Sequence, residues 1–332
     1  MSKFGIPYMG SKDTIAASIA LNFPKADNFY DLFGGGFSIS HYMLVNKSEN
    51  YNKIHYNEIK KDITELVKKA INGDYSYDRF KPQWVSRENF FKNLDDPYIR
   101  ICWSFGNNQK DYIFGTDIEE YKRSMHQAVI FDEFNYIAKA VFEFDLWPKN
   151  VNTIRKKRYY LRQKIEWFRV KNKIPDKIKP FIKQLQDLQQ LGRLVQLQQL
   201  QQLERLQQLE RLQKLEQLEQ LERLQRLERL ERLERLEITS KDYREVKILP
   251  NSIVYCDIPY QGTADYGNNF SHKDFFDWAA TRDFPVYISE YNVSDPRFKL
   301  IYKIDKRSMM AADKENAKKM SEKLYWNGVT NG

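Results

Sequence analysis

The 332-residue sequence reads as an α/β protein whose sheet-forming segments are interrupted by long insertions. Near the N-terminus an apolar run, a glycine turn, an amphipathic stretch and a second apolar run ending in an acid follow one another. That is the order of the first half of a nucleotide-binding βαβ unit. Beyond residue 250 the alternation of apolar strand and amphipathic helix resumes. Between the two lie an aromatic, basic region and a run of leucines at every third position.

Ile15 to Leu21 predicts a helix, and Asn28 to Phe33 a buried strand running into Gly34-Gly35-Gly36. A second helix is expected from Phe37 to about Val45, because Ile39, Tyr42 and Met43 share a face at i, i+3 and i+4. Lys53 to Tyr56 predicts a short strand that ends at Asn57-Glu58. The spacing of Ile63, Leu66, Val67 and Ile71 predicts the amphipathic helix after it. Later in the chain, Ser252 to Cys256 and Phe284 to Ser289 read as strands, with a helix around Phe275, Phe276 and Trp278 between them.

Residues 72–183 differ in character and read as an inserted recognition module ending in a cationic segment. From Arg155 to Lys183 there are twelve Lys or Arg against two acids, enough to carry the net charge of +9 of the entire chain. Such a concentration suits a polyanion. Tyr159, Tyr160, Trp167 and Phe168 interleave with the cations, as they would against sugar or base. The same pattern fits a basic helix with core aromatics and solvated charges.

Leucine recurs without a miss from Leu185 to Leu236, eighteen times. A helix advances about 100° per residue, so a strict triplet drifts by roughly 60° per repeat and winds leucines around the axis. Propensity favours helix, and Glu228/Arg232 and Glu231/Arg235 are well-ordered i, i+4 pairs. Burial favours a compact solenoid that points each leucine inward. Both conformations stand at this level, a long helix slightly ahead. With nine basic residues against ten acidic ones the repeat is not an obvious DNA-binding arm and reads as a spacer, a surface for self-association or a protein partner, or a neutral expansion of a simple repeat.

Cys102 and Cys256 form no C-x-x-C, and the histidines have no partner at metal-ligand or triad spacing, so no metal is expected. His126 and His272 read as structural or exposed. No apolar run approaches the roughly 20 residues of a membrane span and no signal-peptide pattern opens the chain, so a cytoplasmic protein is expected.

Two constellations carry chemistry. Glycines at a strand-to-helix turn let backbone and helix N–H groups approach a ligand, and an acid about 20 residues on commonly takes ribose hydroxyls. Asp31-Leu32-Phe33-Gly34-Gly35-Gly36 and Glu58 fit that order. Taken singly, the glycines are equally a plain turn. The second is Asp257-Ile258-Pro259-Tyr260, directly after an apolar strand, where open α/β sheets place their ligands. Tyr260 offers a flat face to a nucleobase. Alone, these four residues are also an Asp-capped turn before a core tyrosine.

With Tyr8-Met9-Gly10-Ser11-Lys12 ahead of them, these motifs resemble those of the Dam-like DNA adenine-N6 methyltransferases, in the versions found in bacteriophages. The likeness extends to Trp103-Ser104-Phe105-Gly106-Asn107-Asn108, Asp242-Tyr243, Ser289-Glu290 and Glu322-Lys323-Leu324-Tyr325-Trp326-Asn327. Ile258 departs from the family's Asp-Pro-Pro-Tyr; the family uses the main-chain carbonyl there, which isoleucine also supplies.

The resemblance implies a Rossmann-like methyltransferase sheet, S-adenosylmethionine as cofactor and double-stranded DNA as partner. Its implied cofactor residues are Tyr8, Lys12, Asp31, Phe33, Gly34, Gly35, Gly36, Glu58, Asp242, Tyr243 and Asp257. Asp257, Ile258, Pro259 and Tyr260 are the implied catalytic set. DNA contacts are expected from Asn107, Asn108 and Lys110, and from Arg155, Lys156, Lys157, Arg158 and Arg162. A bacterial or phage-infected cytoplasm and a restriction-modification setting follow. An RNA adenine methyltransferase is the nearest alternative, disfavoured because Asp257 stands where RNA relatives usually carry Asn; a silent DNA-binding scaffold is another. The expected division is 1–71 and 238–332 for the catalytic domain, 72–183 for recognition and 184–237 for the repeat.

Overall fold

The computed structural model describes residues 4–76, 80–116, 118–142, 146–171, 216–228, 230, 232–261, 270–307 and 319–331. A short helix α1 (Ala16–Ala20) precedes β1 (Asn28–Asp31), which runs into α2 (Ser38–Asn46), β2 (Lys53–Asn57) and α3 (Lys61–Ile71). Helices α4 (Arg87–Lys92), α5 (Pro97–Cys102), α6 (Glu119–Phe131), α7 (Tyr136–Phe142) and α8 (Ile154–Lys171) follow. After them come α9 (Glu216–Leu227), β3 (Leu236–Thr239), β4 (Ser252–Asp257), α10 (His272–Ala280), β5 (Val286–Glu290), β6 (Lys299–Arg307) and β7 (Lys319–Trp326).

The seven strands form one mixed, mostly parallel sheet in the order β3-β2-β1-β4-β5-β7-β6, with only β7 antiparallel to its neighbours. The inner strands β1, β2, β4 and β5 are buried almost throughout because both faces are covered. Along β4, Ile253 and Tyr255 enter one core with Phe29, Ile54 and the helices α1 to α3. Val254 and Cys256 enter the other with Tyr30, Ile288 and Phe275 of α10. From β1 the chain steps outward through β2 to β3, then returns to the opposite side of β1 as β4. Strand order thus reverses between β1 and β4, which are in register with Asp31 beside Tyr255. A crevice opens beyond the carboxyl ends of strands at such a reversal.

Val85, Phe90, Tyr98, Ile101 and Trp103 share the sheet's own core. Helices α6 to α8 hold a separate core of Met125, Val129, Ile137, Trp147 and Leu161. β3 is an edge strand parallel to β2.

Over 216–227 the repeat is an α-helix, and the earlier triplets lie outside the described residues. Leu221, Leu224 and Leu227 are fully buried. Three leucines at triplet spacing drift through only about 120°, still one face. Beyond the helix Leu230 is still buried in the same core, and Leu233 is 37% exposed. Arg232, left-handed at φ 63°, binds Ser48, so the Glu228/Arg232 pair expected of a longer helix is not made. Glu231 lies outside the described residues. Cys102 and Cys256 are buried free thiols. Among the described residues no helix is long and apolar enough to cross a membrane.

Candidate functional site

The glycine turn follows β1 and is held from three sides. Gly34 N–H donates to the Asn57 carbonyl at 2.9 Å, Tyr56 Oη donates to the Gly35 carbonyl at 2.8 Å, and Ile6 N–H donates to the Gly36 carbonyl at 2.8 Å. A Cβ on Gly34 would meet the Tyr56 ring at 2.2 Å, and one on Gly36 would meet Tyr8 Cβ at 2.4 Å. Tyr8 therefore lies across the turn, and side chains there would push it off. Glu58, just past β2, accepts from Gly35 N–H at 2.9 Å and from Lys60 N–H at 3.0 Å. Asp31, at the end of β1, is turned inward to Ser40, whose hydroxyl and amide both donate to its Oδ2.

Asp257 ends β4, and a buried cation meets it. Lys12 Nζ lies 2.8 Å from Asp257 Oδ2 and 3.6 Å from Glu322 Oε1, and 4.7 Å from the centre of the Tyr260 ring. The Tyr260 hydroxyl donates to Glu322, and the Tyr291 ring stands against Tyr260 edge-on at 4.4 Å. His272 Nε2 bonds the Pro259 carbonyl at 2.6 Å, and Gln261 N–H donates to Glu290 at 3.1 Å. The turn after β4 is thus anchored from α10, β5 and β7. Ile258 is buried, while Asp257, Pro259 and Tyr260 keep partial exposure.

Burial alone would lower the Lys12 ammonium, but Asp257 and Glu322 outweigh it and hold the group above the usual lysine range. Burial pushes the Glu322 carboxyl up to about 7, with Lys12 opposing and Asp257 adding to the rise. Asp31 is likewise raised to about 7 by burial, against the hydrogen bonds from Ser40. Glu58 and Glu290 are raised by burial too, moderated by backbone N–H donors.

Of the remaining predicted residues, Phe33 and Tyr243 meet at 5.4 Å in an aromatic cluster with Phe270 and Phe275. Asp242 caps the turn before Tyr243 and is gripped by Arg244 through two hydrogen bonds of 2.8 and 2.9 Å. Asn107, Asn108 and Lys110 form a loop elsewhere. Asn107 donates to the Ile101 carbonyl, Asn108 is bonded to Asp111, and Lys110 is exposed. On α8, Arg155 and Lys156 are exposed. Lys157 is buried with Asp132 at 2.5 Å and Arg158 is buried with Glu222. The Arg162 side chain lies outside the described residues.

The structure therefore links Tyr8 and Glu58 to the glycine turn and Lys12 to Asp257 and Tyr260, while the residues expected to contact DNA make none of these contacts. Two features were not read as site residues: Tyr291 and His272. Glu322 lay in a matched C-terminal segment but carried no role. Their signal is topological, since only the sheet order sets β5 next to β4 and β7 next to β5. The arrangement offers an acceptor at Glu58 and a carboxylate with a fixed countercharge beside an aromatic ring. The chain matches no known protein-family model.

Proposed function

We propose that the chain transfers a methyl group from S-adenosylmethionine to the N6 amino group of adenine in duplex DNA. The observation that carries this reading is that Gly34–Gly36 and Asp257–Tyr260 stand at the carboxyl ends of β1 and β4, the adjacent parallel strands between which strand order reverses. The order also supports a Rossmann-like sheet: it is the doubly wound order 3-2-1-4-5-6 with one reversed strand set before the last.

The residues fit the cofactor. Each Glu58 oxygen accepts one backbone N–H and keeps further lone pairs for a ribose diol. Phe33 and Tyr243 supply apolar surface beside the turn. When bound, the cofactor supplies an already activated sulfonium methyl, so the protein's task is positioning more than acid-base power. Asp257 and the Ile258 carbonyl accept the two N6 hydrogens, which aims the nitrogen lone pair and stabilises positive charge developing on it. Tyr260 stacks on the base, which leaves the duplex to be reached. Lys12 holds the Asp257 carboxylate in place from behind. Duplex DNA is engaged through the exposed Arg155 and Lys156.

The test offers labelled S-adenosylmethionine with adenine-containing duplex DNA, RNA and protein separately. Label in DNA alone is expected. Label confined to RNA or protein, or in none of the three, overturns the reading.

A further inference from the structure

The described end of the leucine repeat reaches the segment that carries Tyr8 and Lys12. Helix α9 packs Leu221, Leu224 and Leu227 into the sheet's core, and of the polar residues between them Gln225 is buried and Glu222, Arg223 and Arg226 are partly covered. Gln225 Nε2 donates to the Tyr75 carbonyl at 2.7 Å, and Glu222 pairs with Arg158 of α8. Arg223, with 15% of its side chain exposed, donates from Nη2 to the Phe4 carbonyl at 3.3 Å. The same nitrogen lies 3.4 Å from Asp13, whose side chain is 6% exposed.

Phe4 and Asp13 bound the segment that covers the glycine turn. Within it, Gly5 N–H donates to His41, Ile6 N–H donates to Gly36, Tyr8 lies on Gly35 and Gly36, and Lys12 N–H donates to Ser38. One guanidinium thus holds both ends of the strap that presents Tyr8 to the turn and Lys12 to Asp257. A buried ion pair is a weak source of stability, because desolvation offsets much of the attraction, and an apolar side chain serves burial as well. What the charged pair adds at this place is geometry.

We infer that Arg223 is a positioning residue: the end of the repeat fastens the 4–13 strap, and with it Tyr8 and Lys12, over the cofactor turn. Its consequence for catalysis rests on the methyltransferase reading, whereas the fastening itself does not. Arg223 acts through Asp13 and Lys12 and touches no reacting atom. Lysine at 223, with a compact ammonium in place of a planar fork, serves the two acceptors less well.

The experiment compares the full chain with Arg223→Met, Arg223→Lys, Asp13→Asn and the Arg223→Met/Asp13→Asn double variant. Hydrogen exchange over residues 4–13 is read beside calorimetric binding of S-adenosylmethionine. In Arg223→Met, exchange over 4–13 is expected to quicken tenfold or more while β4 and β5 keep wild-type protection, and the cofactor Kd to weaken at least tenfold. Arg223→Lys recovers part of both, and adding Asp13→Asn to Arg223→Met brings no further loss. Unchanged exchange over 4–13, or a loss spread evenly over the fold, overturns the inference. If Arg223→Met fails to fold, the near-isosteric Asp13→Asn carries the same readouts, and wild-type values in it are equally decisive. A wild-type chain that binds no S-adenosylmethionine sinks the methyltransferase reading, while exchange still decides the strap.

Discussion

Asp257 is the residue on which the proposed chemistry turns, and its neighbours sharpen what replacing it should do. Asp257→Ala is expected to abolish methyl transfer with cofactor and DNA binding largely kept, because Lys12 retains Glu322 as a partner. Radiolabel transfer and equilibrium binding on one preparation check this. Tyr260 separates two contributions: Tyr260→Phe loses the bond to Glu322 but keeps the ring, whereas Tyr260→Ala loses both. The alanine variant should weaken base binding by about 1–3 kcal/mol and the phenylalanine variant by less. Equal losses in the two, measured on DNA with an extruded adenine, would remove the ring from the proposal.

Asp31 permits a test in pH. Burial raises its carboxyl to about 7, so the folded chain holds a proton that the unfolded chain releases near 4. Stability from this group is full below about pH 4 and is lost as pH rises through about 7. Asp31→Asn should therefore gain on wild type across that window, by up to about 1.4 kcal/mol per pH unit. His41 and His126, lowered to about 4 by burial, push absolute stability the opposite way over part of the range. The difference between the two proteins is thus the quantity to follow by chemical denaturation. A difference flat in pH contradicts the shift.

Helix α9 shows how a low-complexity tract becomes part of a core. Leu224→Ala should cost about 2–5 kcal/mol as a buried cavity, whereas Leu233→Ala, at 37% exposure beyond the helix, should stay within about 0.5 kcal/mol. Denaturation midpoints of the two variants check this contrast. The triplet drift was legible in the sequence, but where the helix stops was not, because that depends on how far α3 and α5 cover it. Strands β1, β2, β4 and β5 were legible as apolar runs, being buried on both faces. The β6–β7 hairpin was not, since Lys299, Lys303, Lys306 and Lys323 interrupt the apolar pattern in these outer strands. Strand β3 was hidden for another reason: Leu236-Glu237-Ile238-Thr239 begins with the repeat's last leucine. Glycine turn, Glu58 and Asp257–Tyr260 were readable as motifs because each stands at or just past the end of a strand. The partnership of Lys12 with Asp257 and Glu322 joins the two ends of the chain and needed the sheet to become visible.

At the scale of the whole molecule, a sheet with its crevice is joined to a helical insertion, α6 to α8, that has its own core. The basic run read as one DNA-binding stretch sorts into two kinds of cation. Arg155 and Lys156 face solvent, while Lys157 and Arg158 are held by Asp132 and Glu222. Arg155→Glu with Lys156→Glu should flatten the dependence of log Kd on log salt by about 0.9 for each phosphate that is no longer neutralised. Lys157→Gln should leave that slope unchanged and lower stability instead. An unaltered slope in the double variant moves the DNA interface off α8.

The decisive experiment incubates unmethylated duplex DNA with S-adenosylmethionine and either the wild-type chain or Asp257→Ala, digests it to nucleosides and weighs them. N6-methyladenine from the wild type and none from the variant is the predicted result. Unmodified adenine from both, or equal methylation by both, would contradict the role given to the carboxylate at the end of β4.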